Sequence, residues 1–125
     1  MKKATELVAE ARSRIETISP DDLEGELAAG ALLVDLREPG EIAETGRIAG
    51  SVHVPRGMLE FRADPSSPYH LDGFDPERRT ILHCATGGRS ALATAALRDM
   101  GYTNVANLDG GVKGWLAAGK PVETS

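Results

Sequence analysis

Residues 80–90 read Thr80-Ile81-Leu82-His83-Cys84-Ala85-Thr86-Gly87-Gly88-Arg89-Ser90. Residues 80–83 form a short, largely apolar run of the kind buried as a strand. Ala91, Leu92, Ala95, Ala96 and Met100 follow at helical spacing, and Gly101 supplies a C-terminal stop. Residues 84–89 therefore form a loop between the carboxyl end of a strand and the N-terminus of a helix. Repeated along a chain, this unit builds an α/β domain in which ligands gather at the carboxyl ends of the strands.

The rest of the chain repeats the alternation. Ala4, Leu7, Val8, Ala11, Ile15 and Ile18 lie at offsets 0, 3, 4, 7, 11 and 14, one face of a helix over residues 4–18. Ser19, Pro20, Asp21 and Asp22 then read as an N-cap, a proline at the first helical position and acids in the first turn of a second helix, which stops near Gly30. Residues 31–35 suit a strand buried on both faces. Residues 41–44 make one helical turn, and residues 51–55 a short strand ended by proline. Met58, Leu59 and Phe61 mark a brief helix before a long loop punctuated by Pro65, Pro68, Gly73 and Pro76. Residues 105–108 are a fourth strand and residues 110–118 a last helix carrying Trp115 in the core. The fold class expected is α/β, with a mostly parallel central sheet and helices on both sides. Residues 1–18 are read as an N-terminal helical arm and residues 19–125 as a single domain.

Composition bounds the chemistry. The 125 residues suffice for one core, with 41% hydrophobic and 26% charged residues and only 4% aromatics, so the core rests on Leu, Ile, Val and Ala. A net charge of −5 argues against general nucleic-acid binding, which needs clustered Lys and Arg. No apolar run approaches a membrane span or a secretory signal, so no membrane association is expected and a cytoplasmic, reducing setting is. Cys84 is the single cysteine, which excludes an intramolecular disulfide and a cysteine-built metal cage. His53, His70 and His83 show no metal-ligand spacing, so neither a metal site nor a cofactor is expected.

The lone thiol has two readings. A solitary cysteine is commonly a small buried hydrophobe. At a strand–helix junction, however, unpaired N–H groups and the helix dipole favour negative charge and lower the thiol pKa. Gly87 and Gly88 let the backbone curl round the sulfur into an anion-binding nest of N–H groups, and Arg89 adds a positive charge. Between Arg78 and Arg98 there are four arginines and no carboxylate. Cys84 is thus the candidate nucleophile, with Ala85, Thr86, Gly87, Gly88, Arg89 and Ser90 as the candidate substrate-binding loop.

Two thiolate chemistries fit such a cradle. Cysteine phosphatases of the tyrosine-phosphatase kind place five residues between Cys and Arg, whereas four separate Cys84 from Arg89 here. The tighter ring favours a sulfur on the thiolate over a tetrahedral phosphate, and no aspartic general acid is identifiable. Sulfur transfer needs only that the thiolate take a sulfane sulfur, hold it as a persulfide stabilised by the nest, and yield it to a nucleophile.

At this point the chain resembles the rhodanese family of sulfurtransferases, and specifically its single-domain members. Besides the loop, the resemblance rests on Leu33-Val34-Asp35-Leu36-Arg37-Glu38-Pro39, on Gly46-Arg47-Ile48-Ala49-Gly50-Ser51 leading into Val52-His53-Val54-Pro55, on Leu108-Asp109-Gly110-Gly111, and on the segment from Trp115 to Val122. It implies a rhodanese-like fold, Cys84 as persulfide carrier, the backbone of residues 85–89 as its cradle, and Arg89 orienting an anionic donor such as thiosulfate. Partners implied are a small anionic sulfur donor and a thiol acceptor, either a small molecule or a protein. Arg47 stands where the family usually has histidine, a position generally structural. A sulfur-relay or binding module loaded by a protein partner is the alternative reading, and a cysteine-dependent phosphatase the least favoured.

Asp35 and Arg37 end the first buried strand, facing the rim that holds Cys84. They either shape the pocket or, as the favoured reading has it, form an ion pair that fixes the rim. His83 is read as structural, because neighbouring side chains on a strand point to opposite faces. Glu38, Glu41 and Glu44 are read as a solvated face.

Overall fold

The computed structural model describes residues 1–124; Ser125, the last residue of the expected domain, lies outside the described residues. Helix α1 spans Ala4–Arg14 and strand β1 Glu16–Ile18. They are followed by α2 (Pro20–Ala28), β2 (Leu32–Asp35), α3 (Pro39–Thr45) and β3 (Val52–His53). A 3-10 turn at Arg56–Met58 leads into α4 (Leu59–Ala63). The chain closes with β4 (Thr80–His83), α5 (Gly88–Met100), β5 (Val105–Leu108) and α6 (Gly111–Ala117). The five strands form one parallel sheet in the order β1-β5-β4-β2-β3.

The expected helix over residues 4–18 is corrected at its C-terminal end. The helix stops at Arg14, and residues 16–18 form an edge strand in which Ile18 stands opposite Leu108 of β5. The arm is therefore helical only in its first part. The β-branched Ile15, Thr17 and Ile18 favour an extended chain, and a strand partner 90 residues away, Leu108, decides the outcome. The other elements fall where the pattern puts them, although α3 is longer than the single turn expected.

Period-two alternation separates two cores. Leu32, Val34 and Leu82 pack on one face of the sheet with Leu59, Ala93 and Leu97 from α4 and α5. Leu33, Ile81, Ala106 and Leu108 pack on the other with Leu23, Val112 and Trp115 from α2 and α6. Helices thus cover both sides, as expected. Trp115 is buried and donates through Nε1 to the Pro121 carbonyl at 2.7 Å. Helix α1 lies outside these layers and rests on α5, with Ala11 buried against Ala91 and Ala95 and flanked by Val8 and Ile15. Alanines on α5 let the helices approach closely. No helix of the described residues is long and apolar enough to cross a membrane.

The strand order places the site. The chain runs outward from β2 to the edge strand β3, then returns to β4 on the other flank of β2, making a reversal at the sheet centre. Asp35 and His83 are register partners at the carboxyl ends of β2 and β4, and Cys84 is the next residue. A switch point of this kind leaves a crevice beyond the strand ends.

Candidate active site

Cys84 leaves β4 and the chain turns at once into α5. Gly87, at φ +106°, takes the left-handed conformation that a side chain resists and serves as the N-cap of the helix. Its N–H donates to Cys84 Sγ at 3.1 Å. Ser90 Oγ, one turn into α5, lies 3.4 Å from the sulfur and 2.5 Å from Asn107 Oδ1 on β5. A hydroxyl has one proton: while it points to Asn107, Ser90 can accept from the thiol, and once the sulfur ionises the hydroxyl can turn to it. Only 1% of Cys84 is exposed.

Burial pushes the thiol pKa up. Hydrogen bonds from the Ser90 side chain and from the Ser90, Gly87 and Thr86 backbone outweigh it, so the thiol is held below its usual value. The N–H groups can face the sulfur because the opposing carbonyls are held elsewhere. Val112 N donates to the Cys84 carbonyl at 2.9 Å and Lys113 N to the Ala85 carbonyl at 3.0 Å. The first turn of α6 thereby holds the outer side of the loop. Gly111 makes this approach possible: a Cβ there would lie 2.4 Å from the Cys84 carbonyl oxygen.

Arg89 is at the end of the loop, where its charge faces both the Cys84 sulfur and a carboxylate. Nη1 and Nη2 donate to Glu41 Oε2 and Oε1 at 2.8 and 2.7 Å. Glu41 Oε2 also receives the Glu38 N–H at 2.9 Å. The Arg89 guanidinium, with the Glu38 N–H, brings the Glu41 carboxyl down to about 2. Reading Glu41 as part of a solvated face is therefore corrected, and the carboxylate-free stretch in sequence does not correspond to a carboxylate-free surrounding in space.

Asp35 and Arg37 form the expected ion pair, fully buried. Arg37 Nη2 meets Asp35 Oδ2 at 2.7 Å and Nε meets Oδ1 at 3.0 Å, while the guanidinium also donates to Thr45 Oγ1 at 2.7 Å and the Gly46 carbonyl at 2.9 Å. Burial pushes Asp35 up, but the Arg37 hydrogen bond leads the effects that carry it below its ordinary value. The pair ties β2 to the C-terminal end of α3, and α3 carries Glu41 to Arg89. A groove of about 170 Å³ beside Ala85 is lined by Arg37, Glu41, Glu44, Thr45 and Lys113. His83 is buried behind the loop, its Nδ1 3.3 Å from the Cys84 carbonyl and its Nε2 3.7 Å from Asp35 Oδ2. Burial holds its pKa down, so the ring stays neutral at neutral pH and fits the structural role expected. Arg47, the family departure, forms an antiparallel bridge with Glu123.

The structure thus brings Cys84, residues 85–90, Asp35 and Arg37 to one rim. Sequence reading missed Glu41, Asn107 and the first turn of α6. The Gly110-Gly111 pair was the one available signal for the last. Among the described residues, no group of three or more His, Cys, Asp or Glu side chains is placed to hold a metal ion.

Residues 19–118 match the sequence profile of the Rhodanese-like domain. A sulfurtransferase from Allochromatium vinosum is 34% identical over 91 residues, covering 73% of this chain and 77% of the relative. The thiosulfate sulfurtransferase GlpE of Pseudomonas entomophila is 32% identical over 113 residues, covering 90% of this chain and 94% of that protein. Among solved structures, a protein of unknown function from Rhodopseudomonas palustris CGA009, described as a possible tyrosine phosphatase, superposes with a TM-score of 0.92. It is 40% identical, with 98% of this chain and 96% of that chain covered.

Proposed function

The chain belongs to the rhodanese-like domain family, and on that premise we propose that it is a sulfurtransferase working by double displacement through a persulfide on Cys84. The observation that carries the reading is the sulfur at the centre of its loop, receiving the Gly87 N–H and facing the Ser90 hydroxyl, with its pKa held low. In the first half-reaction the Cys84 thiolate attacks the sulfane sulfur of thiosulfate. A sulfur–sulfur bond forms to Cys84, the bond to the sulfonate sulfur breaks, and its electron pair leaves with sulfite. The loop N–H groups stabilise the negative terminal sulfur of the persulfide. In the second half-reaction an acceptor thiolate attacks that terminal sulfur, and the pair returns to Cys84. The reading implies a reducing, cytoplasmic setting, in which a lone thiol stays free.

Thiosulfate as donor is supported by the relative that carries it in its name and by the small, neutral lining of the loop. Phosphate-ester hydrolysis is disfavoured by the four-residue spacing and by Glu41. With its pKa near 2, that carboxylate has no proton to give a leaving alcohol at neutral pH.

Intact mass spectrometry after exposure to thiosulfate tests the reading. A gain of about 32 Da, released by a thiol and absent from Cys84→Ser, is expected. An unchanged mass, with loading only from a protein persulfide, favours the relay alternative. Aryl-phosphate hydrolysis lost in Cys84→Ser would favour the phosphatase.

A further inference from the structure

Helix α1 lies outside residues 19–118, yet it reaches the loop. Arg12 Nη2 lies 3.2 Å from the point a Cβ on Gly87 would occupy, so the guanidinium rests against the residue whose N–H holds the sulfur. Among the described residues Arg12 makes no hydrogen bond or ion pair, whereas Arg14 on the same helix meets Asp99 at 3.3 Å and Arg89 is held by Glu41. The groove between α1 and the loop, of about 470 Å³, is lined by Thr5, Val8, Thr86 and Gly88 beside Arg12, and carries no carboxylate. The groove on the other flank of the loop carries Glu41 and Glu44 together with Lys113 and the Asp35-paired Arg37.

Resting on the sulfur-transfer reading, we propose that the groove between α1 and the loop is the entrance for the anionic sulfur donor, and that Arg12 is the residue recognising its charge. On the other flank Glu41 and Glu44 offset Lys113, and the Arg89 guanidinium already holds a two-point pair with Glu41. On the α1 side an anion meets an unpaired cation against low-polarity walls, where competition from water is reduced. The groove reaches Thr86 and Gly88, the residues on either side of Gly87, whose N–H holds the sulfur. The arm thereby becomes a specificity element of the site.

The test uses the full chain and two alkylating agents of similar size, anionic iodoacetate and neutral iodoacetamide. Each transfers its carbon to the Cys84 sulfur with loss of iodide. In Arg12→Gln the ratio of the iodoacetate to the iodoacetamide rate constant is expected to fall about three- to tenfold, as for loss of one charged hydrogen bond at an exposed site. Arg12→Lys should retain most of the ratio, and KM for thiosulfate should rise in Arg12→Gln by a similar factor. An unchanged ratio overturns the proposal. Equal slowing of both agents also overturns it, because Arg12 would then hold the loop and not the anion. A fallen ratio in a chain whose wild type takes no sulfur from thiosulfate would support the anion entrance while removing the transfer reading.

Discussion

Arg89 and Glu41 form a two-point ion pair, at 2.8 and 2.7 Å, across 48 residues of sequence. It joins the end of the Cys84 loop to α3, and through α3 to the buried Asp35–Arg37 pair. The charge that the loop sequence offers to an anion is in this way already balanced.

Glu41→Gln should uncover it. With the carboxylate gone, the positive charge beside the sulfur is uncompensated, so the Cys84 thiol pKa falls further and the midpoint of an iodoacetamide rate profile moves to lower pH. The pair also has a pH signature. The Glu41 pKa is depressed from 4.5 to about 2, so its stabilisation is fully present above about 4.5 and is lost as pH falls towards 2. The stability difference between wild type and Glu41→Gln, measured by denaturant titration, should shrink from pH 6 to pH 3.

Ser90→Ala removes the foremost of the contacts that lower the thiol pKa. The alkylation midpoint of the wild type should lie below that of an ordinary cysteine, and in Ser90→Ala it should move up. The sulfur-transfer rate at pH 7 should fall with the thiolate fraction. Identical profiles in the two proteins would assign the low pKa to the backbone alone.

Gly111→Ala should disrupt the loop. Gly111 has φ +59°, and its Cβ would fall 2.4 Å from the Cys84 carbonyl oxygen and 2.7 Å from the Ala85 backbone. Backbone strain and overlap together are expected to destabilise by about 2 kcal/mol or more and to lower transfer activity. Gly30→Ala is the control for strain without overlap, since Gly30 has φ +98° with nothing within 4 Å of the added carbon. Thermal unfolding of both variants separates the two effects.

Arg37→Ala should leave Asp35 as an uncompensated buried charge. About 3–5 kcal/mol of stability is expected to be lost, with part recovered in the double variant Asp35→Asn/Arg37→Met. Urea titration gives both numbers.

What the sequence by itself determined is local. Strand β4, the glycine pair and helix α5 are fixed by apolar runs and helical spacing over a few residues, and those features place Cys84 at a strand end facing a helix N-terminus. The parallel sheet with helices on both sides follows from the alternation of such units. Tertiary structure decided what depends on the path of the chain between distant segments. Ile15 and Ile18 satisfy helical spacing, and only pairing with β5 makes residues 16–18 a strand. Glu41 looks solvated until α3 is laid beside Arg89. The Gly110-Gly111 pair reads only as the start of the last helix until α6 meets the outer side of the loop. The loop sequence sets where the thiolate sits, because φ, ψ and the nearest N–H groups are local. Its electrostatic surroundings come from Arg89 with Glu41, from Asn107 and from the α6 turn, brought together by the packing of the helices on the sheet.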